Sequence, residues 1–241
     1  CRRALERGAD TVAIATFRAA WEVLELRGPF AVAATLGAQV LARPALAQGA
    51  RALALRSQGR ILWKQGRFDE AKAALREAVA LAREAGDLAG EGIAIGTLGV
   101  VASDQGYDDE TETMLQAALA IHREVGNRRA EAIVLSNLAS LRSEQGRIGE
   151  ALVLAKQAIA LHREIGNRLH EAMVLANTGI LEADRGALEE ARRLYEEAIA
   201  IQREVGSRAS EGNTRGNLGN LLRQLDRTEE AQTHLEAALA I

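Results

Sequence analysis

Residues 130–166 read AEAIVLSNLASLRSEQGRIGEALVLAKQAIALHREIG, and the chain is built from copies of this stretch in one register. Gly66, Gly106, Gly146 and Gly186 fall forty residues apart, and Asp226 takes the next slot. Gly86, Gly126, Gly166 and Gly206 form a second series with the same step. A period of this length marks a solenoid, in which each unit buries its apolar face against its neighbours. Within the stretch, apolar residues recur at helical spacing on both sides of Gly146, so each unit predicts two helices. In the central unit they run from about Arg128 to Gln145 and from about Ile148 to Ile165, each closed by a glycine suited to a left-handed turn.

Local signals agree with this division. Acids open most second helices, at Asp69-Glu70, Asp108-Asp109-Glu110, Glu150, Glu189-Glu190 and Glu229-Glu230. Arg83, Arg123, Arg163 and Arg203 close them, as the helix dipole favours at each end. Asp87, Asn127, Asn167 and Ser207 follow the closing glycines and are expected to cap the next first helix. Small residues recur at Gly59, Gly99, Ala139, Gly179 and Gly219 in first helices. Ala71, Thr111, Ala151, Ala191 and Ala231, and then Ala78, Ala118, Ala158, Ala198 and Ala238, recur in second helices. Helix axes approach closely only where side chains are small. Ile61, Val101, Leu141, Leu181 and Leu221 fill between them.

Residues 50–241 therefore hold five forty-residue repeats, the last one truncated. Residues 1–49 form a degenerate first repeat, with helices expected over Thr11–Arg27 and Phe30–Arg43, a break at Gly28-Pro29, and 1–10 as the tail of a preceding helix. Cys1 stands where a start methionine would, and the closing AALAI stops inside a helix that earlier copies continue. Both ends point to a segment of a longer protein.

Composition excludes several classes. At 48% hydrophobic and 26% charged residues the chain is neither disordered nor membrane-spanning. A net charge of −3 offers no basic stripe for nucleic acid. The lone cysteine forms no internal disulfide and suits a reducing cytoplasm. Lys64, Lys72 and Lys156 are the only lysines among the many arginines, a bias typical of GC-rich bacterial genomes. No nucleophile–base pair, metal cluster or phosphate loop is present, so no catalytic residue, metal or cofactor is expected. His122 and His162, with Gln202 next in line, are read as outer-surface residues rather than metal ligands. Gly92, Gly96 and Gly99, and Gly212, Gly216 and Gly219, mimic glycine-rich loops, but no strand precedes them. Close helix contact is the expected reason for them. Trp21 and Trp63 are read as packing residues near the irregular end.

The small–small–small pattern, the glycine turn and the acidic helix start resemble the tetratricopeptide repeat over about residues 50–241. The forty-residue form is similar to Pins-type polarity adaptors, whose Leu-Gly-Asn signature stands at Leu218-Gly219-Asn220. It is also similar to kinesin light chain and to the sensor arrays of bacterial signal-transduction ATPases and kinases. The resemblance implies an all-α, right-handed α-solenoid of antiparallel helix pairs, whose concave face is lined by first helices and holds a protein or peptide. The chain departs from the family where an aromatic residue is usual in the first helix. Leu62, Ala102, Arg142, Glu182 and Leu222 take that slot.

One stripe of each first helix faces away from its small residue. In the central unit the stripe is Ile133, Asn137, Ser140 and Glu144; its neighbours give Ile93, Thr97, Val100, Asp104 and Met173, Asn177, Ile180, Asp184. Flanking units give Leu53, Ser57, Arg60, Lys64 and Asn213, Asn217, Asn220, Gln224. Asparagine is a mediocre helix former, so Asn137, Asn177 and Asn217 in register, in line with Ser57 and Thr97, call for a reason. Their amides either hold the backbone of an extended peptide, as the resemblance implies, or bond neighbouring helices in a ladder. The row Lys64, Asp104, Glu144, Asp184 and Gln224 either receives a basic partner segment, with Arg56, Arg60 and Lys64 meeting its acidic end, or is a solvated rim. The functional expectation is a non-catalytic scaffold or sensor within a larger bacterial signalling or defence protein. The alternatives are the regulatory array of an enzyme whose catalytic domain lies outside this sequence, and a solenoid that self-associates end to end.

Overall fold

The helix formers that dominate each copy, with apolar residues three and four apart, leave one face of each helix in need of cover. The computed structural model shows how it is covered; it describes residues 30–43 and 46–241, together with Val12, Thr16, Phe17 and Ala19. The expected tail over 1–10, most of the helix over Thr11–Arg27, the Gly28-Pro29 break and Trp21 lie outside the described residues. Among the described residues every regular element is an α-helix. Two compact units divide the chain, Cys1–Asn127 and Arg128–Ile241.

The first unit contains α1 (Phe30–Leu41), α2 (Gln48–Lys64), α3 (Phe68–Glu84), α4 (Leu88–Ser103) and α5 (Asp108–Glu124). Phe17, Val40 and Ala54 form a buried cluster that seats α1 on α2. The pairs α2–α3 and α4–α5 are hairpins, and the first helices α2 and α4 also touch. The second unit contains α6 (Arg128–Glu144), α7 (Ile148–Glu164), α8 (Arg168–Asp184), α9 (Leu188–Glu204), α10 (Arg208–Gln224) and α11 (Thr228–Leu239). Its hairpins are α6–α7, α8–α9 and α10–α11, and α6, α8 and α10 lie side by side. Each unit is thus a run of antiparallel helix pairs in the α-solenoid manner.

Turn chemistry explains the even spacing. At the end of α6 the Gly146 amide donates to Ser143 O at 2.9 Å and the Arg147 amide to Arg142 O at 2.8 Å, which stops the helix and turns the chain. This needs a left-handed residue: Gly146 has φ 72, and Asp226 takes the same role at φ 57. Asp87 caps α4 by accepting from the Gly90 amide at 2.8 Å. Asn167 and Ser207 do not cap with their side chains. The Asn167 amide is bound to histidines instead, and Ser207 donates to Ser210 Oγ at 3.0 Å.

The small-residue column sets the hairpin spacing. A Cβ on Gly59 would stand 2.5 Å from Leu75, on Gly99 3.1 Å from Leu115, on Gly179 2.7 Å from Tyr195, and on Gly219 2.7 Å from Leu235. At Gly59, Gly179 and Gly219 those contacts are too short to hold, and at Gly99 the leucine would have to give by a few tenths of an ångström, so glycine is what lets the helices close. Each partner sits sixteen residues on. The central repeat differs. Ala139 carries the methyl its counterparts lack, and its own partner is Ala155 rather than a leucine or tyrosine.

Three further expectations need correction. His122 and His162 are not on the outer surface; they are 1% and 0% exposed. Each lies in the last turn of a second helix. There the ring fills space left by a small residue: a Cβ on Gly92 would meet His122 Cε1 at 2.7 Å, and His162 Nε2 lies 3.5 Å from Ser136 Oγ. Glycine contact explains Gly92, Gly99 and Gly219 but not Gly216, around which nothing would meet a Cβ within 4 Å. Trp63 also does more than pack, because its Nε1–H donates to Asp104 at 2.6 Å and its ring lies 4.0 Å beneath Lys64 Nζ. In the slot where an aromatic is usual, Arg142 and Glu182 are buried alongside Leu62, Ala102 and Leu222. Arg142 donates to Gln145 Oε1 at 2.9 Å and pairs with Glu150, and Glu182 pairs with Arg185. Buried charge persists only when so matched.

Candidate functional site

The first helices of the second unit present the predicted stripes in parallel. Asn137 and Asn217 are half-buried, and Asn177, Asn220, Ser140, Glu144 and Asp184 are exposed. The side chains of Asn137, Asn177 and Asn217 make no hydrogen bond or ion pair among the described residues. Ser140, by contrast, donates to Ser136 O at 3.3 Å. An amide carries both donors and an acceptor, so this row presents open donors and acceptors to solvent.

Between α6 and α8 the stripes border a cleft of about 390 Å³. Ile133, Asn137, Ser140 and Glu144 line one side, and Met173, Asn177 and Ile180 the other. Ala139, Ala155, Val174, Thr178 and Leu181 form its floor. Met173 and Ile180 at its mouth are 46% and 40% exposed.

The predicted residues of the first unit are arranged differently. Ser57 is buried and donates to Leu53 O at 3.0 Å, and the half-buried Thr97 donates to Ile93 O at 2.8 Å. Their hydroxyl protons are therefore committed to their own helices. Arg56 and Arg60 are half-buried on α2, and Lys64 is exposed at its end. Burial pushes the Arg56 guanidinium below its ordinary value, partly countered by Asp87 and reinforced by Arg60. Asp104 is held by Trp63. The structure thus gathers Asn137, Ser140, Glu144 and Asn177 at one cleft, with Asp184, Asn217 and Asn220 on the same helix stripes, while Thr97, Asp104, Arg56, Arg60 and Lys64 lie in the first unit.

A half-buried polar chain borders the cleft and ends on the buried His162. His170 lines the cleft and its Nδ1 lies 3.1 Å from Asn167 Oδ1; Asn167 Nδ2 lies 3.2 Å from His162 Nδ1. These contacts are satisfied when His170 Nδ1–H donates to Asn167, Asn167 Nδ2–H donates to His162 Nδ1, and His162 Nε2–H points to Ser136. Both rings are then neutral. Burial first, then the neighbouring His170, lowers the His162 pKa to about 4. Burial and Arg129 lower that of His170. The ring centroids are 5.4 Å apart. Among the described residues no group of histidines, cysteines and carboxylates could hold a metal ion.

A carboxylate at one fixed place in the repeat is absent from the candidates above. Glu91, Glu131, Glu171 and Glu211 are all buried in the first turns of their helices. Arg83, Arg163 and Arg203 donate to Glu91, Glu171 and Glu211 at 2.7, 2.8 and 2.7 Å, tying each second helix to the next first helix. The signal that could have revealed it is the constant step of eight residues from arginine to glutamate.

The tetratricopeptide repeat family profile matches residues 92–164 and 169–241, and a second tetratricopeptide repeat profile matches residues 52–85. No curated protein matches the chain significantly in sequence. Solved structures share the fold. BtubC (BKLC) from P. vanneervenii is 20% identical with a TM-score of 0.72, covering 98% of this chain and 90% of that one. A Podosopora anserina putative kinesin light chain is 19% identical with a TM-score of 0.64, covering 80% and 95%. NprR in complex with its cognate peptide NprX is 16% identical with a TM-score of 0.66, covering 96% and 66%.

Proposed function

The chain belongs to the tetratricopeptide repeat family, and from that premise we propose that it is a non-catalytic protein-binding module that holds an extended peptide segment against α6, α8 and α10. The observation that carries this reading is the row Asn137, Asn177 and Asn217, whose amides have no partner among the described residues. Helix-lined grooves recur as peptide sites, and an amide in each successive repeat matches the alternating donors and acceptors of an extended backbone. The NprR structure, solved with a peptide, supports the same use of the fold. The acids Glu144 and Asp184 favour a partner segment carrying basic residues.

The module serves as the sensor or scaffold part of a bacterial signalling or defence protein in the cytoplasm. The arginine-rich composition and single cysteine support that setting. No helix among the described residues is long and apolar enough to cross a membrane.

The test is a titration of peptides selected by the intact chain from a random library. Replacing Asn137, Asn177 and Asn217 together by alanine removes about three neutral hydrogen bonds. At roughly 0.5–1.5 kcal/mol each, affinity falls roughly 10- to 2,000-fold. Unchanged affinity with an unchanged circular dichroism spectrum refutes the reading.

A further inference from the structure

We propose that the cleft between α6 and α8 is a socket for one bulky aliphatic side chain of the bound peptide, set beside a lysine or arginine of the same peptide. This rests on the peptide-binding reading above and gives it a chemical specificity.

The socket originates in the one break in the hairpin packing rule. Three of the other four repeats set a glycine against a leucine, and the fourth sets Gly179 against Tyr195. Here Ala139 faces Ala155, a methyl where the others carry an isobutyl group or a phenol. The missing bulk coincides with the floor of the cleft, which Ala139 and Ala155 both line. A packed interior does not leave such a space idle without cost.

Size and wall chemistry select the occupant. About 390 Å³ lies at the small end of ligand sites, which span roughly 300–1,000 Å³. That is too little for a helix and enough for one side chain with its flanking backbone. Val174 and Leu181 below, with Ile133, Met173 and Ile180 at the mouth, ask for an apolar group. Covering the exposed Met173 and Ile180 adds to the gain. Asn137 and Asn177 stand on opposite sides, where they meet backbone and not the anchor. Glu144 lines the cleft and no lysine or arginine does among the described residues, while Arg129 is near enough to His170 to lower its pKa. Asp184 continues the acidic edge on α8. A basic residue next to the anchor meets these carboxylates.

The experiment selects a random twelve-residue display library on the intact chain and on an Ala139→Gly/Ala155→Leu double variant. That variant rebuilds the glycine–leucine pair used by the other repeats, so it keeps the hairpin while filling the socket. The native chain is expected to enrich leucine, isoleucine or methionine beside lysine or arginine. Truncating that aliphatic residue to alanine weakens binding to the native chain about 30-fold. The double variant binds the parent peptide weakly by the same factor, and truncation then costs it nothing. Equal binding of the parent peptide by both proteins overturns the socket. So does a set of selected peptides that needs Asn137 and Asn177 but shows no aliphatic residue, an outcome that leaves the peptide-binding reading standing. If no selected peptide responds to the asparagines, the underlying reading fails and the socket with it.

Discussion

Replacing His162 by glutamine is expected to make the protein more resistant to acid. His162 is fully buried, and burial together with the nearby His170 lowers its pKa to about 4. In the unfolded chain the same ring titrates near 6.5. As pH falls, the unfolded chain therefore takes up a proton first, and stability drops wherever the unfolded state binds more protons. The contribution is intact above about pH 6.5 and is lost progressively towards pH 4. Between pH 7 and pH 5 these two values give a loss of roughly 2 kcal/mol. Glutamine is the natural replacement, because Gln202 holds the equivalent place one repeat on, buried and donating to Thr214 Oγ1 at 3.0 Å. Its amide fills the same place in the repeat and does not titrate. Urea unfolding followed by circular dichroism at both pH values measures the difference. The native chain should lose about 2 kcal/mol more than the variant over that interval. His170 and His234, both lowered by burial, leave a residual slope in each. Equal losses in the two proteins would mean that the ring accepts its proton without penalty, and the neutral chain from His170 to Ser136 would be wrong.

Further perturbations read other parts of the structure. Gly216→Ala should raise stability by about 1 kcal/mol, since a Cβ there meets nothing within 4 Å; Gly179→Ala should lower it by about 1–3 kcal/mol by driving a methyl into the Tyr195 ring. Urea midpoints check both. Glu171→Ala, which removes a fully buried carboxylate paired with both Arg163 and Arg168, should lower the urea midpoint more than Glu70→Ala, whose exposed carboxylate pairs with the exposed Arg67. Reversing Glu144 and Asp184 to lysine should weaken a basic peptide roughly 10-fold at low salt and flatten its salt dependence; unchanged affinity and salt slope would reduce the row to a solvated rim.

The repeat was open to reading because its determinants are local. A left-handed turn needs Gly146, a close hairpin needs Gly179, and helix dipoles favour Glu189-Glu190 at one end and Arg203 at the other. The stripe carrying Asn137, Asn177 and Asn217 followed from helical geometry alone. What stayed hidden depends on partners that periodicity does not name. His162 on a largely polar turn reads as exposed until Asn167 and Ser136 are seen to satisfy it. Glu171 reads as a surface acid because its arginines approach from the preceding second helix and from its own first turn. Asn167 reads as a cap because its position suits one, yet two imidazoles compete for its amide. Ala155 lines the cleft, and it passes as one more small residue until the leucines and the tyrosine at the same place in other repeats are set beside it.

The most direct test of the central claim is a crystal structure of the intact chain with a selected peptide bound. The peptide is expected to lie extended across α6, α8 and α10, with its backbone bonded to the side-chain amides of Asn137, Asn177 and Asn217. A peptide seated on the second helices, or one that leaves those three amides untouched, would contradict the account.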